Sequence, residues 1–153
     1  MQSYGSVVLR MCVGAVFLAH GAQKLFGMWG GPGLDGTTGM LTALGVPYPY
    51  PMAVALAVTE FAGGILLVLG GVTRWAALAL AVDMAVAIWK VHYPNGFFLS
   101  DQAARGGGIE YTMVLLGALI CLTLAGPGML SIDHWRSQSA EAAARGRARA
   151  RKV

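Results

Sequence analysis

Four long apolar runs constrain this chain more than any other feature. They cover residues 7–26, 51–71, 75–92 and 109–126, and each is close to the ~20 residues that a helix needs to cross a bilayer. The ionisable residues inside them are few. Glu60 stands alone in the second run, Asp83 interrupts the third with Lys90 near its end, and Glu110 opens the fourth. An average soluble domain is about 25% charged. Here 12% of residues are charged and 56% hydrophobic, with a mean hydropathy of +0.61. Such a composition cannot coat a water-facing surface, so the expected fold class is all-α, a transmembrane four-helix bundle. Residues 1–136 are expected to form that bundle as one domain, and residues 137–153 a basic, disordered, cytoplasmic tail.

The aromatic residues support the same spans. Trp29, Trp75, Trp89 and Trp135 fall at or just beyond the ends of the apolar runs, as do Tyr4, Tyr48, Tyr50, Tyr93 and Tyr111. Tryptophan and tyrosine collect at the membrane interface because an apolar ring there carries a group that needs water. With four crossings both termini share a side. The net charge of +4 resides in the tail, which carries Arg145, Arg147, Arg149, Arg151 and Lys152 against Glu141. Basic residues mark the cytoplasmic side, so the tail, Arg10 and Arg74 are expected inside. Loops 27–50 and 93–108 are then outside, with Arg105 as their one basic residue. A multi-pass membrane protein with both termini in the cytoplasm follows. A cleaved signal peptide fits residues 1–26 less well, because no clean small-residue cleavage site follows the apolar run.

Several site classes find little support. Cys12 and Cys121 have no partner at metal-ligand or redox-motif spacing and read as small buried side chains. The Gly- and Pro-rich loop 27–50 lacks the phosphate-cradling pattern and reads as a crossover with a short helical piece near 37–44. The tail has no aromatic residue after Trp135 on which a base would stack, so nucleic acid is not an expected partner. Ala53 with Ala57, Ala81 with Ala85, and the Gly63-Gly64 pair are candidates for close helix packing.

The polar residues within the spans carry the functional signal. On a helix, His20, Gln23 and Lys24 share one face near the outer end of the first span. Given the rise per residue, His20 lies roughly 10 Å and Glu60 about 13 Å below the outer boundary, with Asp83 nearer the midplane. A lone charge at such depth costs at least ~2.5–3.5 kcal/mol, so these groups should face the bundle interior and pair. Glu60 with Lys24 or His20 is the natural pair. Two readings follow: a polar clamp between helices, or a polar pocket open to the outer face.

Five blocks in register, AHGAQKLFG (19–27), TEFAGGILLVLG with TRWAAL (59–78), VHYPNGFF (91–98), GGIEY (107–111) and GPGMLSID (126–133), resemble the DoxX family of small bacterial membrane proteins. The resemblance covers residues 10–133 and implies a four-helix integral membrane protein. Relatives are linked to quinone-dependent sulfur oxidation and to membrane oxidoreductase complexes. The family blocks contain His20, Gln23, Lys24, Glu60, His92 and Glu110, which are the candidate pocket residues. Asp83 and the basic tail lie outside the pattern.

The resulting expectation is an oxidoreductase subunit that holds a quinone or another small oxidisable solute in the outer half of the bilayer. An apolar slot would take the ring, His20 or His92 would donate protons, Lys24 would stabilise negative charge, and Glu60 or Glu110 would relay protons. No flavin, haem or iron–sulfur motif is present, and His20 and His92 differ too much in depth to share a haem. No cofactor is expected apart from quinone as a substrate, and no metal. Electrons would come from the substrate or a partner subunit; the lipid bilayer and a second copy of the chain complete the candidate partners. The alternative is a non-catalytic membrane subunit or small-solute transporter whose polar residues act as a clamp. The broken helices and internal repeats of transporters are not evident.

Overall fold

The computed structural model describes residues 4–99 and 107–150. Arg105 and the last three residues of the tail lie outside the described residues. The described chain is helical: α1 (Tyr4–Phe26), α2 (Gly33–Ala43), α3 (Pro49–Leu69), α4 (Thr73–Ala87), α5 (Glu110–Ala125) and α6 (Ile132–Ala150). A π-helical turn, Ile88–His92, and a 3-10 turn, Tyr93–Asn95, extend α4 without interruption.

α1, α3 and the extended α4 (Thr73–Asn95) are long and apolar enough to cross a membrane. α5 is the fourth member of the bundle and the shortest, at 16 residues or ~24 Å. Its ends are fixed by sequence: Gly107 and Gly108 precede it, and Gly126, at a φ of 86°, leads into Pro127. The positive φ favours glycine there. α1 packs chiefly on α3 and α4 on α5, while α3–α4 and α1–α5 contacts close the bundle. α2 is the short helix expected near 37–44; it crosses one end of the bundle, over α1 and α3.

The seam between α1 and α3 depends on glycine. A Cβ on Gly21 would lie 2.3 Å from the Phe61 backbone nitrogen, and one on Gly64 would lie 2.4 Å from that of Leu18. Backbones approach this closely only where side chains are absent. Ala53 and Ala57 are fully buried along α3, as expected for a packing pair. Ala81 is buried but Ala85 is exposed, so that second pair does not form one interface. Phe17, Leu67, Leu80, Leu119 and Leu122 fill the middle of the bundle.

The outward faces carry Val8, Val58, Val82, Val114 and Leu124 exposed, with all four tryptophans exposed at helix ends or in the connections. This is the pattern of a protein in contact with lipid. Cys12 and Cys121 are exposed rather than buried, because a bilayer accommodates an apolar side chain on the outside of a bundle as well as within it.

At the end opposite α2, Arg10 is buried and its guanidinium donates to the backbone carbonyls of Leu67, Val68, Pro127, Met129 and Leu130. It therefore ties α1 to the last turn of α3 and to the α5–α6 connection. Asp133 completes this end. Its carboxylate accepts from the Val72 and Thr73 N–H groups, each at 2.8 Å, and from the Thr73 hydroxyl at 3.0 Å. α4 thus receives its N-terminal cap from another helix.

Where a disordered tail is expected for residues 137–153, the structure continues α6 to Ala150. Its Ala- and Arg-rich sequence is strongly helix-forming, and Arg145 approaches Glu141 one turn earlier at 3.7 Å.

Candidate functional site

Between α1, α3, α4 and α5, beneath α2, the bundle opens into a cavity of about 330 Å³. Its floor is the core itself, since Phe17, Met84 and Leu115 belong to both. Met40, Leu41 and Leu44 of α2 line it, together with Val46 from the connection that follows, and Leu56 and Val86 add to apolar walls. The acidic, basic and imidazole side chains within it are His20, Lys24, Glu60, Asp83, Lys90 and His92.

Each reaches the cavity for a local reason. His20 and Lys24 lie one turn apart on α1, and the glycine seam brings that face against α3. Lys24 Nζ meets Glu60 Oε2 at 2.5 Å, with side-chain exposures of 18% and 5%. Asp83 comes from α4; its Oδ2 is buried and has no hydrogen-bond partner among the described residues. On an uninterrupted α-helix His92 would point roughly opposite Asp83. The wider π turn rotates it back, so Lys90, Val91 and His92 all line the cavity. Such turns are rare and recur at functional sites. His92 Nδ1 donates to the Gly107 carbonyl at 3.2 Å, and the Lys90 ammonium lies over the Trp89 ring at 4.2 Å from its centre.

Four of the six residues expected from sequence therefore converge: His20, Lys24, Glu60 and His92. The other two do not. Gln23 is a quarter-turn away from Lys24 and faces the α1–α2 connection, where Gly31 packs against its Cβ. Glu110 turns to the loop before α5, where its Oε1 accepts the Leu99 N–H at 2.7 Å. Its neighbours Tyr111 and Thr112 line the cavity instead. Asp83 and Lys90 line the cavity but lie outside the family blocks; the depth of Asp83 in an apolar run is what called for an inward position. No group of three or more metal-ligating side chains is found among the described residues.

A polar cluster set in an apolar cavity of this size can orient a small ring by a few hydrogen bonds. The Lys24–Glu60 pair also joins α1 to α3, so it serves packing whether or not a ligand binds.

Comparison with known proteins gives a consistent picture. The DoxX family profile matches residues 5–93, which include the cavity residues His20, Lys24, Glu60, Asp83, Lys90 and His92. The chain is 29% identical over 131 residues to "Inner membrane protein YphA" of Escherichia coli (strain K12), covering 84% of this chain and 87% of the relative. It is 30% identical over 129 residues to "Putative oxidoreductase CatD" of Bacillus subtilis (strain 168), covering 84% of each. It is 33% identical over 144 residues to "Uncharacterized membrane protein Rv3486" of Mycobacterium tuberculosis (strain ATCC 25618 / H37Rv), covering 89% of this chain and 83% of the relative. No solved structure matches the chain.

Proposed function

The chain belongs to the DoxX family of membrane proteins, and from that premise we propose that it is a membrane oxidoreductase subunit that holds a quinone-type ring in the cavity beneath α2. One observation carries this reading. The Lys24–Glu60 ion pair sits with Asp83, His20 and His92 in the wall of a largely apolar cavity. A quinone ring needs an apolar slot, and its two oxygens need hydrogen-bonding partners that can also move protons, because two-electron reduction takes up two protons. The apolar walls supply the slot. Lys24 stabilises negative charge that develops on an oxygen, and His20, His92, Glu60 and Asp83 are the groups that exchange protons. Electrons pass to or from the ring through a partner subunit or an oxidisable solute. The relative named as an oxidoreductase supports the reaction class.

In this reading the protein lies in a bacterial inner membrane with the α2 end outside and both termini in the cytoplasm. Arg74, Arg136, Arg145 and Arg147 gather at the α6 end, which supports that orientation.

A second reading is favoured by the ion pair's position across the glycine seam: a non-catalytic subunit whose polar residues clamp α1 to α3. Mass spectrometry of small molecules and proteins retained after mild detergent extraction separates the two. The proposal predicts a quinone retained near one per chain. Retention of a partner protein with no small molecule would favour the clamp.

A further inference from the structure

Three side chains form a line across the cavity wall from α1 through α3 to α4. Lys24 Nζ meets Glu60 Oε2 at 2.5 Å, and the Asp83 carboxyl is hydrogen-bonded to Glu60 in turn. An ionised carboxyl can only accept hydrogen bonds, so two carboxyls bond to each other only when a proton lies between them. The remaining titratable groups of the cavity are His20 on α1, Lys90 and His92 on the extension of α4, and Tyr111 on α5. The Lys90 ammonium rests on the Trp89 ring, and His92 bonds the Gly107 carbonyl. Two observations put the proton on Asp83. The Lys24 ammonium favours the negative charge on Glu60. Asp83 Oδ2 is buried with no partner among the described residues, a position that costs a carboxylate oxygen far more than the carbonyl oxygen of a neutral acid.

We infer that Asp83 is a neutral acid that donates its proton to Glu60, so that the two carboxyls store one transferable proton in the cavity wall. Asp83 is then a positioning residue that acts through Glu60. The presence of the proton does not depend on a ligand; its use rests on the reading above that a quinone-type ring occupies the cavity. As the ring receives electrons, the Asp83 proton passes to Glu60 and from there to a ring oxygen. The O–H bond of Asp83 breaks and one forms on the ring, which leaves Asp83 with a negative charge that the ring had gained. The store thus supplies one of the two protons that reduction consumes, and the other comes from solvent.

Infrared spectroscopy of the full chain at neutral pH tests the stored proton without any ligand, in nanodiscs of ether-linked lipid that has no ester carbonyl of its own. The expected result is a carbonyl band of a protonated carboxylic acid that is lost in Asp83→Asn. No such band, or one that survives in Asp83→Asn, would overturn the inference. Should that variant not fold, the wild-type chain grown with carboxyl-13C aspartate decides instead. The band must move to lower frequency, and a band that stays in place would put the proton elsewhere and overturn the assignment. The transfer is read by electrochemical reduction of benzoquinone bound to the same sample. The band should disappear on reduction and return on reoxidation; a band unchanged while the bound ring is reduced would overturn the transfer. Failure of benzoquinone to bind would overturn the ring reading and the transfer with it, while the ligand-free band still decides whether the proton is stored.

Discussion

Lys24 Nζ and Glu60 Oε2 meet at 2.5 Å across the closest helix seam in the bundle, with the Glu60 side chain 5% exposed. The contact depends on two features at once, a cation and an anion at matching depth and glycines that let their helices touch.

The pair should be worth more intact than either half. Glu60→Leu leaves the lysine charge without its partner in a low-dielectric wall, and breaking a buried pair in this way costs about 3–5 kcal/mol. Glu60→Gln should cost less, because the amide oxygen still accepts from Lys24. The double variant Lys24→Leu with Glu60→Leu should recover much of the stability lost by Glu60→Leu alone. Thermal unfolding in detergent of the wild type, Lys24→Leu, Glu60→Leu and the double variant measures the coupling directly.

The seam makes a separate prediction. Gly64→Ala places its Cβ against the Leu18 backbone, and Gly21→Ala does the same against Phe61. Each should cost about 1–3 kcal/mol through forced backbone shifts, and Ala substitution at Gly117, where an added Cβ would point into open space, should cost far less. Equal losses at all three positions would show that the seam is not as tight as described.

Much of this architecture was legible in the sequence. The four apolar runs gave the bundle because backbone groups in a bilayer must be satisfied within helices, and the aromatic residues marked their ends. Four cavity residues were also legible, since charge at depth has to turn inward. Gln23 and Glu110 were not separable from them, because a shared helix face or a shared level does not say which neighbour that face meets. His92 reaches the cavity only through a π turn, which no periodicity rule anticipates. Arg10 was read as a topological marker, yet its guanidinium is fully committed to carbonyls of segments distant in sequence.

The α6 end should separate into a structural and a dispensable part. Asp133→Ala removes the cap of α4, and loss of a cap costs about 1 kcal/mol. Residues 139–148 of α6 are exposed, so truncation after Gln138 should change stability by less than about 0.5 kcal/mol. Unfolding of the bundle on that truncation would show that α6 makes contacts beyond its first turn. Both are read by melting in detergent.

The proposed orientation predicts that a reporter fused after Val153 is active only when it works in the cytoplasm. A fusion active only on the outer side would reverse the orientation and move the cavity to the inner half of the bilayer.

If the cavity beneath α2 binds a ring ligand, filling it must weaken that binding. Leu44→Trp on its roof and Val86→Trp on its wall replace lining residues with a bulkier ring, and circular dichroism confirms that each variant stays helical. The measurement is equilibrium dialysis of a short-chain benzoquinone against the wild-type chain and both variants in nanodiscs. The expected result is saturable binding of one molecule per wild-type chain and a loss of about tenfold or more in affinity when the cavity is filled, about 1.4 kcal/mol. Absence of saturable binding, or binding unchanged in both filled variants, would contradict it.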